Sequence, residues 1–335
     1  MGKEPLRLIL DTGAGVNVLT PEAAARLGLK LTDAPFAVSG ATVTKAKVCQ
    51  VPKLSLGSIN LAGSFVVLPL PAALNCDGIL GGPFFEKFMV TIDSFRNKLS
   101  LAPPKSKKLT GPVLPLRLVG GIPQVYGSVE GISGWFRMDT GADDVLTLFP
   151  GFVERHKLRD KFPKRIETVV GRGVGGLLTG ELVKVSRLTL GPHTLGDFVA
   201  DLSTQTEGTF ADRDSAGNLG NALLRRFILT LDYQGKKVQL LRAPGFGEPF
   251  PTNRAGLGVD YESGKASVLA VLPDSPAADA KLQPGDVVLT IDGEAVTPTR
   301  MRAALRQRAG ITVRLTVQRG TEPPSEVALV LRDLL

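Results

Sequence analysis

The chain has 335 residues, enough for two or three domains at roughly 100 to 200 residues each. Its 38 glycines, 24 prolines, few aromatics and short apolar runs broken by turn residues favour strands over a helical bundle. The net charge of +8 is scattered apart from one compact cluster, PPKSKKL at 103–109, which reads as a solvated linker and not as a nucleic-acid or membrane face.

In chain order, the apolar run 6–10 reads as a strand that delivers Asp11 into the glycine turn Asp11-Thr12-Gly13-Ala14. FAVSGATV at 36–43 follows, then DGILGGPFFEKFMVTID at 77–93 and KLSL at 98–101. The segment 110–138 reads as strands joined by Gly-containing turns and delivers Asp139 into a second turn, Asp139-Thr140-Gly141-Ala142. After it come TVVGRGVGG at 168–176, GNLGNALLRRFILTLD at 217–232 and KKVQLL at 236–241, in the order of the first copy. From Arg242, RAPGFGEPFPTNR is rich in Pro and Gly and reads as an interdomain linker. Beyond it the pattern gives strand, strand, short helix, strand, amphipathic helix and strand.

Two copies at so long a period predict duplicated lobes that face each other, not a solenoid. The first copy has little chain ahead of its turn and lacks the opening strands of the second. Either that lobe is trimmed or the natural start lies upstream of Met1, with any export signal. MGKEPL itself carries neither a signal-peptide core nor a full myristoylation pattern, Leu6 standing where Ser or Thr is wanted. No apolar stretch reaches the roughly 18 residues of a spanning helix.

Cys49 and Cys76 define neither a disulfide framework nor a zinc site and read as two small buried hydrophobes. His156 and His193, the only histidines, sit neither in metal-ligand spacing nor beside a nucleophile signature. No metal, cofactor or Ser/His chemistry is expected.

A carboxylate at the mouth of a glycine turn behind an apolar strand is poorly solvated, which favours its neutral form. Two brought face to face act as a coupled pair sharing one proton, a general base beside a general acid. With a water between them, the ionised member takes a proton as the water attacks an amide carbonyl, and the neutral member protonates the developing oxyanion. Gly13 and Gly141 allow the tight turns, and Thr12 and Thr140 can hydrogen-bond across the junction. A single Asp-Thr-Gly would read equally well as a plain turn; two in one downstream context favour chemistry.

The two Asp-Thr-Gly-Ala turns, each followed by a Gly-bearing hairpin and a hydrophobic-Gly segment ahead of a helix, resemble aspartic proteases of the retropepsin and pepsin type over roughly residues 6–241. The resemblance implies catalytic Asp11 and Asp139, a flap closing over substrate with tips at Gly40 and Gly173, and a supporting segment Ile79-Leu80-Gly81. The second copy departs with Asn218-Leu219-Gly220, polar at its first position, and neither flap candidate has the tyrosine of pepsin-like flaps. AGLGV at 255–259 followed by SPAADAKLQPGDVVLTIDGEAV resembles a PDZ domain of the bacterial, protease-attached kind. It implies a peptide carboxylate bound by Gly256, Leu257, Gly258 and Val259, with the peptide added as a strand. Met301, Ala304 and Leu305 read either as the wall of that groove or as a core stripe.

The expectation is a mainly β chain, a two-lobed acid-protease-like β-barrel fold followed by a PDZ domain. Its parts are a first lobe at 1–104, a second at 105–242, a linker at 243–254 and the PDZ domain at 255–335. The expected activity is an aspartic endopeptidase acting as a monomer on polypeptide substrates, with peptide C-termini at the PDZ domain and no nucleic-acid partner. The rival is an inactive peptide-binding scaffold that works through PDZ. Resemblance alone implies a periplasmic or cell-surface site, which nothing in residues 1–10 supports.

Overall fold

The computed structural model of the protein describes residues 4–261 and 264–335. Residues 1–3, part of the N-terminus read for export and acylation signals, and 262–263, the end of AGLGVDYES, lie outside them. The described chain is mostly strand, in three sheets.

The first lobe is a six-stranded sheet ordered Leu8–Leu10, Gly78–Leu80, Val18–Leu19, Ile59–Val67, Val43–Leu56 and Thr32–Ser39. Leu8–Leu10 and Gly78–Leu80 pair in parallel, Leu10 opposite Leu80, which brings the ILG segment beside the Asp11 turn. Thr20 then starts a short helix, its hydroxyl accepting the Ala23 N–H at 3.1 Å with Pro21 in the first turn.

The second lobe repeats this frame inside a fourteen-stranded sheet. Ile132–Met138 pairs in parallel with Gly217–Leu219, Met138 opposite Leu219. Ahead of it lies a hairpin, Val113–Val119 and Ile122–Val129, for which the described first lobe has no counterpart. The Met89–Asp93 and Lys98–Ala102 strands of the first copy extend the second lobe's sheet, Met89–Asp93 pairing with Phe227–Asp232. Thr91 and Thr230 hydroxyls meet there at 2.9 Å. Phe85 stacks on Tyr233 across the same seam with ring centroids 5.5 Å apart, so one continuous core runs through both lobes. Burying each such aromatic contributes roughly 1.5 to 3 kcal/mol.

The segment 243–254, read from composition as a linker, is packed down. Phe246 and Phe250 join the lobe core, and the buried Arg226 guanidinium lies 4.7 Å over the Phe250 ring while donating to Gly245 O and Pro249 O. PPKSKKL, by contrast, is an exposed loop between strands.

The C-terminal unit has its own buried cluster, from Ala255 to Leu331, and a six-stranded sheet. Strand Thr312–Gln318 alternates inward Val313, Leu315 and Val317 with outward residues, the two-residue period of a half-buried strand. Helix Pro298–Leu305, capped by Thr297, turns Met301, Ala304 and Leu305 into this core, which decides between their two readings.

Candidate active site

Both carboxylates leave equivalent strand ends. The Asp11 N–H donates to Leu80 O at 3.0 Å, the Asp139 N–H to Leu219 O at 2.9 Å, and each turn is held again by Gly82 N–H on Ala14 O and Asn221 N–H on Ala142 O. The apolar-Gly segments therefore prop the two Asp loops from below.

Two threonines join the loops. Thr12 Oγ1 donates to Met138 O at 2.7 Å and accepts the Thr140 N–H at 3.0 Å; Thr140 Oγ1 donates to Leu10 O at 2.7 Å and accepts the Thr12 N–H at 3.1 Å. Across this lock the glycines face the opposite acid. A Cβ on Gly13 would lie 2.4 Å from the Asp139 Cγ, and one on Gly141 2.4 Å from the Asp11 Cγ. Any side chain there would drive the carboxylates apart.

Asp11 and Asp139 face each other closely enough for their carboxyl groups to interact. Burial first, then the charge and the close side chain of Asp139, hold the Asp11 carboxyl well above the usual carboxylate range, against donation from the Gly13 and Ala14 N–H groups. Asp139 has more donors around it: Gly141 N–H at 2.9 Å and Ala142 N–H at 3.1 Å on Oδ1, and the Asn218 amide at 3.0 Å on Oδ2. The polar residue that departs from the first lobe's Ile79 thus reaches the acid itself.

A second pair of acids lies beside the first. Thr147 Oγ1 is 2.7 Å from Asp144 Oδ2 and 2.9 Å from Asp201 Oδ1, and Asp144 Oδ1 and Asp201 Oδ2 are buried without a partner. Burial, then the Asp139 charge, pushes Asp144 up to about 7; burial, then the Asp144 charge, holds Asp201 well above the usual range. One hydroxyl proton cannot serve two carboxylates, so at least one of these acids is protonated and donates to Thr147. Sequence reading missed both this pair and Asn218; the only signals were the second Asp of Asp143-Asp144 and the Asn of NLG.

Above the acids lies a cavity of about 1380 Å³ whose lining includes Asp11, Asp139, Gly40, Gly173, Asp144 and Asp201. Two hairpins roof it. Gly40 stands in the tip that joins Thr32–Ser39 to Val43–Leu56, whereas Gly173 is the last residue of Ile166–Gly173 and the tip itself falls at Val174–Gly175. The tips meet, the Ala41 N–H donating to Val174 O at 2.6 Å. In the C-terminal unit Gly256 takes the left-handed φ of +67° and precedes the strand Leu257–Asp260, where Leu257 is buried and Gly258 and Val259 are half-buried. The structure keeps Gly256, Leu257, Gly258 and Val259 together, and Val259 also lines the cavity that holds the two acid pairs.

Among the described residues the histidines build no serine-type centre. His193 is buried between Phe227 and Phe246 with Nε2 2.9 Å from Leu240 O, and His156 tilts onto Phe152. Cys49 and Cys76 are both free, the first buried and the second half-buried.

Residues 1–84 match the family model described as aspartyl protease, and residues 267–319 match that described as PDZ domain. The Gly256–Val259 loop lies just ahead of the latter match. Curated relatives include a serine protease HTRA1 from Xenopus tropicalis, 33% identical over 149 residues, 43% of this chain and 29% of the relative. Another is a probable CtpA-like serine protease from Staphylococcus haemolyticus, 23% identical over 159 residues, 46% of this chain and 30% of the relative. The chain thus spans less than a third of the length of these relatives. Among solved structures, a retropepsin-like aspartic protease from Rickettsia conorii aligns with a TM-score of 0.27 and 16% identity over 38% of this chain and 86% of its own.

Two predictions follow from this geometry. Thr12→Val leaves the Met138 carbonyl and Thr140 N–H unpaired in a buried site and should lower unfolding free energy by about 1 to 3 kcal/mol. Thr140→Val should do likewise, and in a denaturant double-mutant cycle the two should fall short of additivity, since each removes part of the same lock. Independent, additive losses would contradict a shared lock. The Asp144 carboxyl, raised to about 7 in the fold and ordinary near 4 when unfolded, contributes stability that is complete below about pH 4 and lost as pH rises towards 7. The melting temperature of Asp144→Asn relative to wild type should therefore climb between pH 4 and 7; a constant difference over that window would rule this out.

Proposed function

We propose, from an aspartyl-protease segment at the N-terminus and a PDZ domain at the C-terminus of one chain, that the protein is an aspartic endopeptidase. The observation that carries this reading is the facing pair Asp11 and Asp139, clamped by crossed threonines on the floor of a roofed cleft. In this reading the first lobe spans 1–104, with its strands Met89–Asp93 and Lys98–Ala102 joined to the sheet of the second lobe at 105–242, a packed strap follows at 243–254, and the PDZ domain at 255–335 binds peptide C-termini. One chain supplies both acids, so a monomer suffices.

In this reading the two acids share one proton: burial favours a neutral Asp11, and the N–H groups of Gly141 and Ala142 and the Asn218 amide are directed at the Asp139 carboxylate. Asp139 takes a proton from a water held between the acids as that water attacks the scissile carbonyl. Asp11 gives its proton to the carbonyl oxygen, and return of a proton to the amide nitrogen releases the amine. The hairpin tips at Ala41 and Val174 cover the site and exclude bulk water, which strengthens each of these contacts.

Hydrolysis of an unstructured protein, followed from acidic to neutral pH, tests the reading. Wild type should cut, and Asp11→Asn and Asp139→Asn should each lower the rate by about 10² to 10⁴-fold while leaving the fold intact by circular dichroism. Activity needs a neutral Asp11, so it should fall as pH rises through the elevated Asp11 range. Asn218→Ala, which strips a donor from Asp139, should lower kcat with the fold intact. A folded wild type that is inert across the range would leave the peptide-binding scaffold in its place.

A further inference from the structure

The catalytic cleft and the peptide groove of the C-terminal unit are parts of one cavity. The cavity that holds Asp11 and Asp139 is also walled by Val259, Asp260 and Tyr261, at the far end of strand Leu257–Asp260, and by Pro298, Arg302 and Arg306 of the helix Pro298–Leu305 and its flank. These are the two elements between which a PDZ ligand would lie.

Ion pairs frame the junction on both sides. Above, Arg172 of the hairpin strand Ile166–Gly173 meets the Asp260 carboxylate with Nε at 3.2 Å and Nη2 at 2.8 Å. Below, Arg302 and Arg306 reach Asp143 Oδ2 at 3.2 and 3.3 Å, and Asp143 follows the Asp139 turn directly. The strand Leu257–Asp260 pairs with Ala266–Val271 on one side and is the edge of its sheet among the described residues. An open edge accepts an extended peptide by backbone hydrogen bonds.

The direction of such a peptide is fixed by geometry. With its carboxylate at Gly256–Val259, the start of the strand, a chain paired along that strand has to run antiparallel to it. Its last residue lies by Gly256, and its upstream residues pass Asp260 and Tyr261, where the groove opens onto the cleft.

We propose that a polypeptide captured by its free C-terminus in this groove is led along Leu257–Asp260 straight into the cleft, so that it is cut at a constant number of residues from its end. This rests on the endopeptidase reading and adds a substrate class to it: chains with an extended, unmodified C-terminus. The scissile bond lies upstream of the residues that pair with the 4-residue strand Leu257–Asp260.

Peptides of one sequence, lengthened at the C-terminus one residue at a time and prepared as free acids and as amides, test this with the full chain. The cut site should move by one residue with each residue added, and free acids should be cleaved with about 10-fold higher kcat/KM than amides, the carboxylate contact being charge-assisted. A cut site set by local sequence, indifferent to lengthening and amidation, overturns the channel and leaves the endopeptidase reading standing. Photo-crosslinking to Asp139→Asn gives an answer without turnover. Free-acid peptides carrying a benzophenone at successive positions should label the helix Pro298–Leu305 from terminal positions and the tips at Ala41 and Val174 from upstream ones, with both lost on amidation. Labelling confined to the C-terminal unit overturns the proposal.

Discussion

Thr12 and Thr140 each send a hydroxyl proton to the opposite lobe's strand and each accept a backbone N–H from the opposite turn. Four hydrogen bonds therefore close between two loops that lie far apart in sequence, around a Thr12 side chain with no solvent exposure. Rotating one lobe against the other breaks all four at once, and in a buried site each unpaired group costs about 1 to 3 kcal/mol. The distance between Asp11 and Asp139 is thus set by backbone geometry. Gly13 and Gly141 are the other half of the same constraint, because each leaves space that the opposite carboxylate fills.

A symmetric frame would hold two identical acids, and two identical acids have no reason to place their one proton on either side. The dressing around the frame removes that degeneracy. Where the first lobe has the apolar Ile79, the second has Asn218 donating to Asp139. The neighbouring Asp144 and Asp201 would, if both ionised, stack negative charge against Asp139 in a poorly solvated site. Burial keeps them towards their neutral forms.

What the sequence made legible was local. The two Asp-Thr-Gly-Ala turns, the apolar-Gly segments and the Gly-φ-Gly-φ loop are short strings whose residue types are demanded by the backbone they form, so the repeated turns located the acids that meet, and the family resemblance pointed to the segments that prop them. The mainly β, two-lobed architecture followed from their repetition. What stayed hidden depends on partners distant in the chain. Asn218 looked like a departure from pattern because its hydrogen bond to Asp139 is tertiary, and Asp201 sits in a strand with no motif around it. The strap at 243–254 has the composition of a free linker, and the packing of Phe246, Phe250 and the buried Arg226 of the preceding lobe shows it to be fastened. Gly173 fell short of its hairpin tip because a glycine run, GRGVGG, offers several turn positions and only strand register chooses among them.

The two attachments of the C-terminal unit differ in strength, and that difference suits a peptide channel. At its root, Phe246, Phe250 and the buried Arg226 anchor the strap in the lobe core, where removal of any of them would open a void or strand a polar group. At the groove, Arg302 and Arg306 meet a largely exposed Asp143, and such pairs contribute no more than about 1 kcal/mol each and are screened by salt. The Arg172 and Asp260 pair is bidentate and better shielded, and it joins the groove strand to a roof hairpin, not to the floor. The groove is therefore fastened to the lobes by buried contacts at its root, whereas its ion pairs to the cleft floor are exposed and salt-screened.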